Sequence, residues 1–282
     1  MPEKSVDSAL GIIGENLCEA QGVLQDAQTI KNAHVCELAF ALRDQFSDPE
    51  YVRSVIERSD LAPSDLAVFA MEYAKYVDKD HESLPFFAYT DVSREPMTAY
   101  FRNSISDMAF SVFSREIREL RAVYYGSFSA CAEDVSSGIS DCCMLPIYDF
   151  TDGEMWSVRR LMEKHDLSIV MTVDLPTSYE ATNHVRFALL SREPQMPKDA
   201  NMLRVTAFFE DPSELTPFLD GCRAIGAVLS STVSVPVSFY DTPAFDIDFT
   251  LPKESFHPLG VYLSLFYPRI NIGGIYKRLE VM

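Results

Sequence analysis

The sequence predicts an α+β protein with three parts: an N-terminal all-α segment, a single α/β lobe and a C-terminal ferredoxin-like βαββαβ domain. Apolar residues recur at helical spacing over residues 5–80, and strand-like and helix-like segments alternate over residues 84–193. After a proline-containing linker at 194–200, the order becomes strand, helix, strand, strand, helix, strand. We therefore predict three domains, at residues 1–80, 81–193 and 201–282.

Three helices are predicted in the N-terminal segment. The first is indicated by apolar residues at roughly helical spacing: Ala9, Leu10, Ile13, Leu17, Ala20, Leu24, Ala27, Ile30 and Val35. Asp48, Pro49 and Glu50 favour a second helix start, because proline fits the first turn and acidic groups interact well with the helix dipole there. A third helix starts at residues 62–65 and carries Leu66, Phe69, Ala70 and Tyr73, and a charged linker follows at 78–82.

The remaining elements are predicted from apolar runs bounded by turn residues. In the middle part we expect strands at 86–89, 122–125, 142–147, 167–173 and 186–190, and helices at 97–113, 129–136 and 155–165. In the C-terminal part we expect strands at 203–209, 228–238, 245–250 and 270–276, and helices at 212–226 and 258–266. The first set alternates as in a βαβ layer, and the second set has the ferredoxin-like order.

Composition and charge indicate a folded protein that avoids polyanions. Apolar residues make up 47% of the chain and aromatic residues 12%, which suffices for a buried core. The net charge of −18 repels nucleic acid and anionic membranes, and it steers dianionic substrates poorly. No apolar run approaches the ~20 residues that span a bilayer, and the N-terminus does not form a secretory signal. We expect a cytoplasmic protein without nucleic-acid or membrane partners.

The six cysteines indicate neither disulfides nor a metal site. None forms a Cys-x-x-Cys pair, and no histidine lies at ligand spacing from them. Cys142 and Cys143 are adjacent, so on a strand their side chains would point to opposite faces. We expect reduced, structural cysteines, no metal and no cofactor.

Four short motifs in the middle part resemble one enzyme family. Residues 137–141 are Ser-Gly-Ile-Ser-Asp, and residues 145–153 are Leu-Pro-Ile-Tyr-Asp-Phe-Thr-Asp-Gly. Residues 164–170 are Lys-His-Asp-Leu-Ser-Ile-Val, and residues 183–187 are Asn-His-Val-Arg-Phe. In their order and spacing these motifs resemble the prephenate dehydratase family. The resemblance implies a lobe of prephenate dehydratase type.

The departures from that family fall on polar positions. In the family's Asn-x-Thr-Arg-Phe motif, the threonine hydroxyl assists the loss of water and carbon dioxide. Val185 stands at this position here, and its side chain cannot donate, accept or shuttle a proton. The family's Glu-Asn-Ser is replaced by Tyr-Asp-Phe at 148–150, and the glycines of its opening loop are missing at 91–97. The positions that correspond to the family's site are Asp149, Thr151, Asn183, Val185, Arg186 and Phe187.

The spacing of the motifs also predicts that the family's second lobe is absent. The family inserts that lobe before Thr-Arg-Phe and holds prephenate between two lobes. In this chain only 32 residues separate Gly153 from Arg186, and one helix and two strands use them. A single wall without a proton donor gives neither water exclusion nor electrostatic preorganisation. We therefore expect no catalysis.

Several residues near the motifs have structural explanations that we prefer. Arg186 is expected to form an ion pair with Asp149 or another acid. Thr151 is expected to cap a helix, and Trp156 is expected to lie in the core. His184 alone, without a paired nucleophile, is weak evidence for catalysis.

The N-terminal helices resemble, more weakly, the helical chorismate mutase that is fused ahead of some dehydratases. The cations of that family are replaced here by Val23, His34 and Tyr51, and residues 1–42 contain no arginine. A mutase must stabilise a dianion with converging cations. We therefore expect a degenerate mutase-like segment whose role is dimerisation.

The C-terminal part resembles an ACT regulatory domain, on residues 211–215 and on the closing strand at 270–278. The resemblance places an effector site at Pro212, Ser213, Glu214, Leu215, Ser234 and Pro236. The Glu-Ser-Arg-Pro run of dehydratases is Val-Ser-Val-Pro at 233–236, so the charged groups that would hold an amino acid are missing. Backbone amides of the first loop remain as candidate donors.

Three functional hypotheses follow. The favoured one is a catalytically inactive relative of the mutase–dehydratase enzyme with a regulatory or scaffolding role in phenylalanine biosynthesis. The alternatives are an active enzyme of that pathway and an amino-acid sensor that acts through the ACT-like domain. We expect a homodimer, with an aromatic amino acid or an active paralogue as further candidate partners.

Overall fold

The computed structural model describes residues 3–78, 84, 90–91, 95–177 and 183–280, with the backbone alone at 3–16 and 90–91. The predicted strand at 86–89 and most of the predicted linker at 78–82 lie outside the described residues. Within the described residues, no helix is long and apolar enough to span a bilayer.

The N-terminal segment contains the three predicted helices: α1 (Glu3–Ala41), α2 (Pro49–Glu57) and α3 (Pro63–Tyr73). The start of α2 is set by Asp48, whose carboxylate accepts a hydrogen bond of 3.0 Å from the backbone N–H of Tyr51. The start of α3 is closed by Asp65, which accepts from the N–H of Ala62 at 2.9 Å. These caps confirm both predicted helix starts.

The lobe alternates strands and helices: β1 (Thr90–Asp91), β2 (Met97–Phe101), α4 (Ser104–Glu116), β3 (Arg121–Tyr125), α5 (Phe128–Ser136), β4 (Cys142–Asp149), β5 (Gly153–Glu154), α6 (Trp156–Lys164), β6 (Ser168–Pro176) and β7 (His184–Ser191). The predicted helix at 97–113 is wrong over its first five residues, which form β2. A parallel strand that is buried on both faces is a continuous apolar run, so its sequence does not alternate. The helix begins only after Asn103, whose side chain accepts from Ile105 and Ser106.

Two layers of helices cover the lobe's sheet, which runs β3–β2–β4–β7–β6. Helix α4 packs on one face, against β6 and β7, and helices α5 and α6 pack on the other face. Cys142 belongs to the buried cluster on the α4 side and Cys143 to the cluster on the α5/α6 side, which confirms their predicted opposite directions. The predicted linker at 194–200 contains a short strand, β8 (Gln195–Met196), which pairs with β1.

The C-terminal part comprises β9 (Met202–Phe208), a 3₁₀ turn (Pro212–Glu214), α7 (Leu215–Ala224), β10 (Val228–Ser234), β11 (Ala244–Thr250), a 3₁₀ turn (Lys253–Ser255), α8 (Phe256–Phe266) and β12 (Ile270–Leu279). Its strands lie in the order β10–β11–β9–β12, with antiparallel neighbours. This order is the ferredoxin-like one, so the α+β fold class and the βαββαβ arrangement are confirmed.

Strand β12 joins the two sheets into one sheet of ten strands. Its first part, from Ile270 to Tyr276, pairs antiparallel with β9, and residues 277–279 pair parallel with β6. Gly274 lies at the crossover with φ +151°, and a Cβ atom there would be 2.3 Å from the carbonyl oxygen of Ile169. Only glycine fits this position without moving a backbone.

The helical segment covers the outer side of the C-terminal part. Helix α3 packs against α7 and α8, and the rings of Phe69 and Phe266 meet edge to face at 6.3 Å. Together with the C-terminal helices, α2, α3 and the end of α1 enclose one buried cluster. Residues 17–31 of α1 take no part in this cluster and are all exposed.

Candidate functional site

The motif at 183–187 lies on β7, between β4 and β6. Arg186 is the register partner of Tyr148 on one side and of Asp174 on the other, so these three side chains share a face of the sheet. Val185 points to the opposite face, where it packs against the apolar cluster on the α4 side. Phe187 belongs to that same cluster and is buried. The position of the missing hydroxyl is therefore a packing position in this chain.

Arg186 forms a two-point ion pair with Asp174. Its Nε and Nη2 atoms lie 2.6 Å and 3.0 Å from the two carboxylate oxygens. Arg278 of β12 donates to the same carboxylate at 2.5 Å. The prediction that Arg186 forms an ion pair with an acid is confirmed. The acid is Asp174 and not Asp149, because the guanidinium faces β6 and not the turn that follows β4. The side chain of Arg186 is 11% exposed, so its charge is committed to this pair.

The two arginines set the protonation of Asp174. Burial alone would raise the pKa of its carboxyl, but hydrogen bonds and charge from Arg186 and Arg278 outweigh burial and lower that pKa below its ordinary value of 3.8. Burial also opposes the charge of Arg186, and Asp174 reverses that effect, so the pKa of Arg186 is raised. The carboxylate of Asp174 is thus ionised near neutral pH and is held between two arginine side chains.

Two of the predicted site residues, Asp149 and Thr151, lie at the turn between β4 and β5, and Asn183, just before β7, is hydrogen-bonded to this turn. The carboxylate of Asp149 accepts from the N–H groups of Thr151 and Asp152 at 2.7 Å and 3.2 Å. The hydroxyl of Thr151 donates to Asn183 at 3.1 Å. The prediction that Thr151 caps a helix is wrong, because α6 begins five residues later, at Trp156, and its N-cap position is Met155. These polar groups satisfy each other, as in an Asx turn.

Aromatic side chains surround the arginine. The guanidinium of Arg186 lies 5.8 Å from the ring centroid of Tyr148 and 5.4 Å from that of Phe150. His184 meets Phe150 edge to face at 5.9 Å. Trp156, which was predicted to lie in the core, is instead half-buried at the start of α6, where it contacts Phe239 at 5.5 Å.

An open cleft of about 840 Å³ adjoins this cluster. One wall comes from the lobe, with Phe150, Asp174, Pro176 and His184. The other wall comes from the C-terminal part, with Asn201, Met202, Thr250, Arg278, Leu279 and Glu280. The cleft therefore has two walls, but the second wall is supplied by β9, β11 and β12 and not by a second α/β lobe. Among the described residues from Gly153 to Arg186, only β5, α6, β6 and the start of β7 are found.

A buried ionic network was missed by the sequence interpretation. Arg204 is 4% exposed, and it bonds Asp248 at 3.0 Å and Glu154 at 3.2 Å. Tyr276 also donates to Asp248, at 3.1 Å. Beside it, Arg159 of α6 bonds Asp246 at 3.0 Å. The alternation in Phe-Asp-Ile-Asp-Phe at 245–249 was the available signal, because it places both acids on one face of β11.

The network connects the lobe with the C-terminal sheet. Glu154 lies on β5, Arg159 on α6, and their partners lie on β9 and β11. Burial raises the pKa of Glu154, although Arg204 counteracts it. For Asp248, burial is outweighed by Arg204 and the pKa is lowered. Arg204 and Arg159 are each paired with carboxylates of the neighbouring elements, which indicates a structural role.

The predicted effector loop is occupied by its own side chains. The carboxylate of Asp211 accepts from the N–H of Ser213 at 2.8 Å, and Glu214 accepts from the N–H of Asp211 at 3.3 Å. The hydrogen bond from Ser213 lowers the pKa of Asp211. Pro212 and Leu215 lie in the same capped turn, while Ser234 ends β10 and Pro236 follows it. The backbone N–H of Ser213, which could have donated a hydrogen bond to a ligand, thus donates to the carboxylate of Asp211 instead.

The cysteines provide no activated nucleophile among the described residues. All six are free thiols, and four are buried. Burial raises the pKa of Cys131 and of Cys142 to about 12, so both stay protonated. No group of three or more His, Cys, Asp or Glu within the described ranges could hold a metal ion.

Comparison with known proteins identifies the fold. No protein-family model matches the chain, and no curated protein matches it. Among solved structures, prephenate dehydratase from Streptococcus mutans is similar with a TM-score of 0.53 and 16% identity, over 65% of this chain and 98% of that one. Prephenate dehydratase from Arthrobacter aurescens, solved in complex with L-Phe, is similar with a TM-score of 0.50 and 14% identity, over 64% and 90%. At this identity the similarity shows the fold alone: the chain has a prephenate dehydratase-like fold.

Proposed function

We propose that this protein is a catalytically inactive relative of the mutase–dehydratase enzymes, with a regulatory or scaffolding role in phenylalanine biosynthesis. One observation carries the proposal: the arginine of the motif is held at two points by Asp174. A dehydratase needs that cation for a substrate carboxylate. Here an internal carboxylate, shared with Arg278, takes its place.

Loss of the proton donor supports the same conclusion. Val185 faces the α4 side of the sheet, away from Arg186 and the cleft, and no hydroxyl stands at its position. Asp149 lies beside this strand and would repel substrate carboxylates. Chemistry that develops negative charge beside Arg186 would meet two internal acids, Asp149 and Asp174.

The mutase-like segment supports inactivity as well. Val23 is 64% exposed on α1 and Tyr51 is 49% exposed on α2, where the mutase family has cations. His34 pairs with Glu37 at 3.1 Å and is also exposed. None of the three replaced positions therefore carries a lysine or arginine side chain.

Turnover assays test the proposal. We expect purified protein at high concentration to convert neither chorismate nor prephenate, with phenylpyruvate formation at the level of a no-enzyme blank. The variant Arg186→Met distinguishes genuine activity from a contaminant, with Arg192→Met as the matched control, because Arg192 is exposed and contacts only a backbone carbonyl in the described structure. Saturable phenylpyruvate formation that Arg186→Met abolishes and Arg192→Met retains would refute the proposal.

A second candidate function is amino-acid binding, and the cleft favours it. Arg278 is 35% exposed and, with Phe150 and His184, gives the cleft a cation beside aromatic rings. Phenylalanine or tyrosine has a carboxylate and a ring that suit these groups. We expect such a ligand to raise the melting temperature of the wild type and not of Arg278→Gln. A flat screen of all twenty amino acids would exclude this function.

A further inference from the structure

The cleft between the lobe and the C-terminal part is lined by more acidic than basic side chains. Among the described residues that line it, Asp174 and Glu280 are acidic and Arg278 is basic. Both walls are built on strands of the ten-stranded sheet, and the volume of about 840 Å³ suits a small organic molecule. The charge of such a ligand would be selected by these three side chains.

The positive charge of the cleft is already paired inside the protein. Arg278 donates a hydrogen bond of 2.5 Å to the carboxylate of Asp174. The same carboxylate accepts two hydrogen bonds from Arg186, which lies behind it on β7. A ligand carboxylate would therefore compete with Asp174 for the guanidinium of Arg278, and this internal ion pair opposes the binding of anions.

Glu280 is the unpaired charge of the cleft. It follows β12 directly, its side chain is exposed, and it forms no ion pair with any residue that the structure describes. A carboxylate accepts hydrogen bonds from N–H donors and repels a second carboxylate. The net charge of −18 adds a field that attracts cations to the protein and repels anions.

An aromatic wall beside these groups also suits a cation. The ring of Phe150 lines the cleft, is 46% exposed and meets the ring of His184 edge to face at 5.9 Å. The guanidinium of Arg186 lies 5.4 Å from the centroid of Phe150, so this ring already has one cation as a neighbour. Further apolar surface for a ligand comes from Pro176, Met202 and Leu279.

We infer that this cleft binds an organic primary amine in its ammonium form. The N–H groups of the ammonium donate to the carboxylate of Glu280, and an apolar or aromatic tail packs against Phe150 and Pro176. An ammonium has three donors and no acceptor, which matches an unpaired group that only accepts. The inference goes beyond the amino-acid binding proposed above, because the ligand needs no carboxylate, and it holds whether or not the chain is catalytic.

Three probes that share a phenyl ring test which charge the cleft selects. Phenethylamine has the ammonium alone, hydrocinnamate has the carboxylate alone, and L-phenylalanine has both. In calorimetric titrations at pH 8, where alkylamines are protonated and free imidazole is neutral, we expect phenethylamine to bind at least about 10-fold more tightly than hydrocinnamate. Hydrocinnamate that binds as tightly as phenethylamine would overturn the inference, and so would no binding of phenethylamine at millimolar concentration.

The same titrations separate this inference from amino-acid binding. Binding of L-phenylalanine without binding of phenethylamine would support the amino-acid function and reject the amine site. Binding of phenethylamine while all twenty amino acids fail to bind would support the amine site and reject the amino-acid function.

Glu280→Gln tests the residue that is inferred to hold the ammonium. The variant should bind phenethylamine about 5-fold more weakly or worse, and it should bind hydrocinnamate no more weakly than the wild type does. The matched control is Glu57→Gln, which removes an exposed carboxylate of α2 that does not line the cleft and should bind phenethylamine as the wild type does. Equal phenethylamine affinities of the two variants would overturn the assignment to Glu280.

Discussion

The guanidinium of Arg186 is the group on which the functional interpretation depends. On β7 the guanidinium could face a ligand, but its Nε and Nη2 atoms both donate hydrogen bonds to the carboxylate of Asp174. A partly buried ion pair of this kind is costly to break from one side, because the remaining charge stays desolvated. Breaking the Arg186–Asp174 pair should therefore lower the free energy of unfolding, in addition to any effect on turnover.

Asp174→Asn should destabilise the protein in a pH-dependent way. Because the folded pKa of Asp174 lies below its unfolded value, the pair contributes stability fully above pH ~4 and loses it as the pH falls through the folded pKa. We expect the variant to lose about 2–3 kcal/mol of unfolding free energy at pH 7, and the difference from wild type to shrink toward pH 3. Urea denaturation at both pH values measures it. A difference independent of pH would contradict the assignment. Glu154, whose pKa is raised by burial, is present in both proteins, so its titration cancels from the difference in unfolding free energy.

Val185→Thr restores the motif hydroxyl and should still give no turnover. The side chain packs on the apolar cluster beside α4, so we expect the hydroxyl to cost about 1 kcal/mol of unfolding free energy. Phenylpyruvate formation by this variant should equal that of the wild type and of the blank. If the variant gained saturable activity, loss of the hydroxyl alone would explain inactivity, and the Arg186–Asp174 pair would not matter.

At the scale of elements, β12 is the strand that decides the architecture. Its register shifts between Ile272 and Gly274, and after this shift the strand leaves β9 and pairs with β6. The close approach of Gly274 to Ile169 makes that change of partner possible.

Gly274→Ala should therefore be strongly destabilising. The added methyl group would lie 2.3 Å from a backbone oxygen, at a φ of +151° that alanine avoids. We expect a loss of about 3 kcal/mol or more in urea denaturation. Gly138→Ala is the control: it also has a positive φ, of +71°, but no atom within 4 Å, and should cost about 1 kcal/mol. Equal losses would show that steric crowding at the crossover is unimportant.

At the scale of the whole molecule, the lobe and the C-terminal part are held together by the continuous sheet and by the network around Arg204. Arg204→Met leaves Glu154 and Asp248 as buried carboxylates without their cation. We expect a loss of about 3–5 kcal/mol of unfolding free energy. Adding Glu154→Gln and Asp248→Asn should recover a large part of it, since the uncompensated charges are then gone. A triple variant less stable than Arg204→Met would contradict this account.

Local patterns in the sequence determined much of the fold. Helix starts at Asp48 and Ala62, the βαβ rhythm and the ferredoxin-like order all follow from caps and apolar periodicity, which act over a few residues. The error at Met97–Phe101 arose where a doubly buried strand has no periodicity to show. The sequence also showed which site groups are missing, since the absence of a hydroxyl at residue 185 needs no coordinates.

Only the tertiary structure decided which groups meet. Asp174 lies 12 residues from Arg186, and Arg278 lies 104 residues from Asp174. The union of two sheets through β12 and the burial of Arg204 between two acids depend equally on long-range packing. Hydrogen bonds and ion pairs require positions accurate to a fraction of an ångström, whereas periodicity specifies only the face on which a side chain lies.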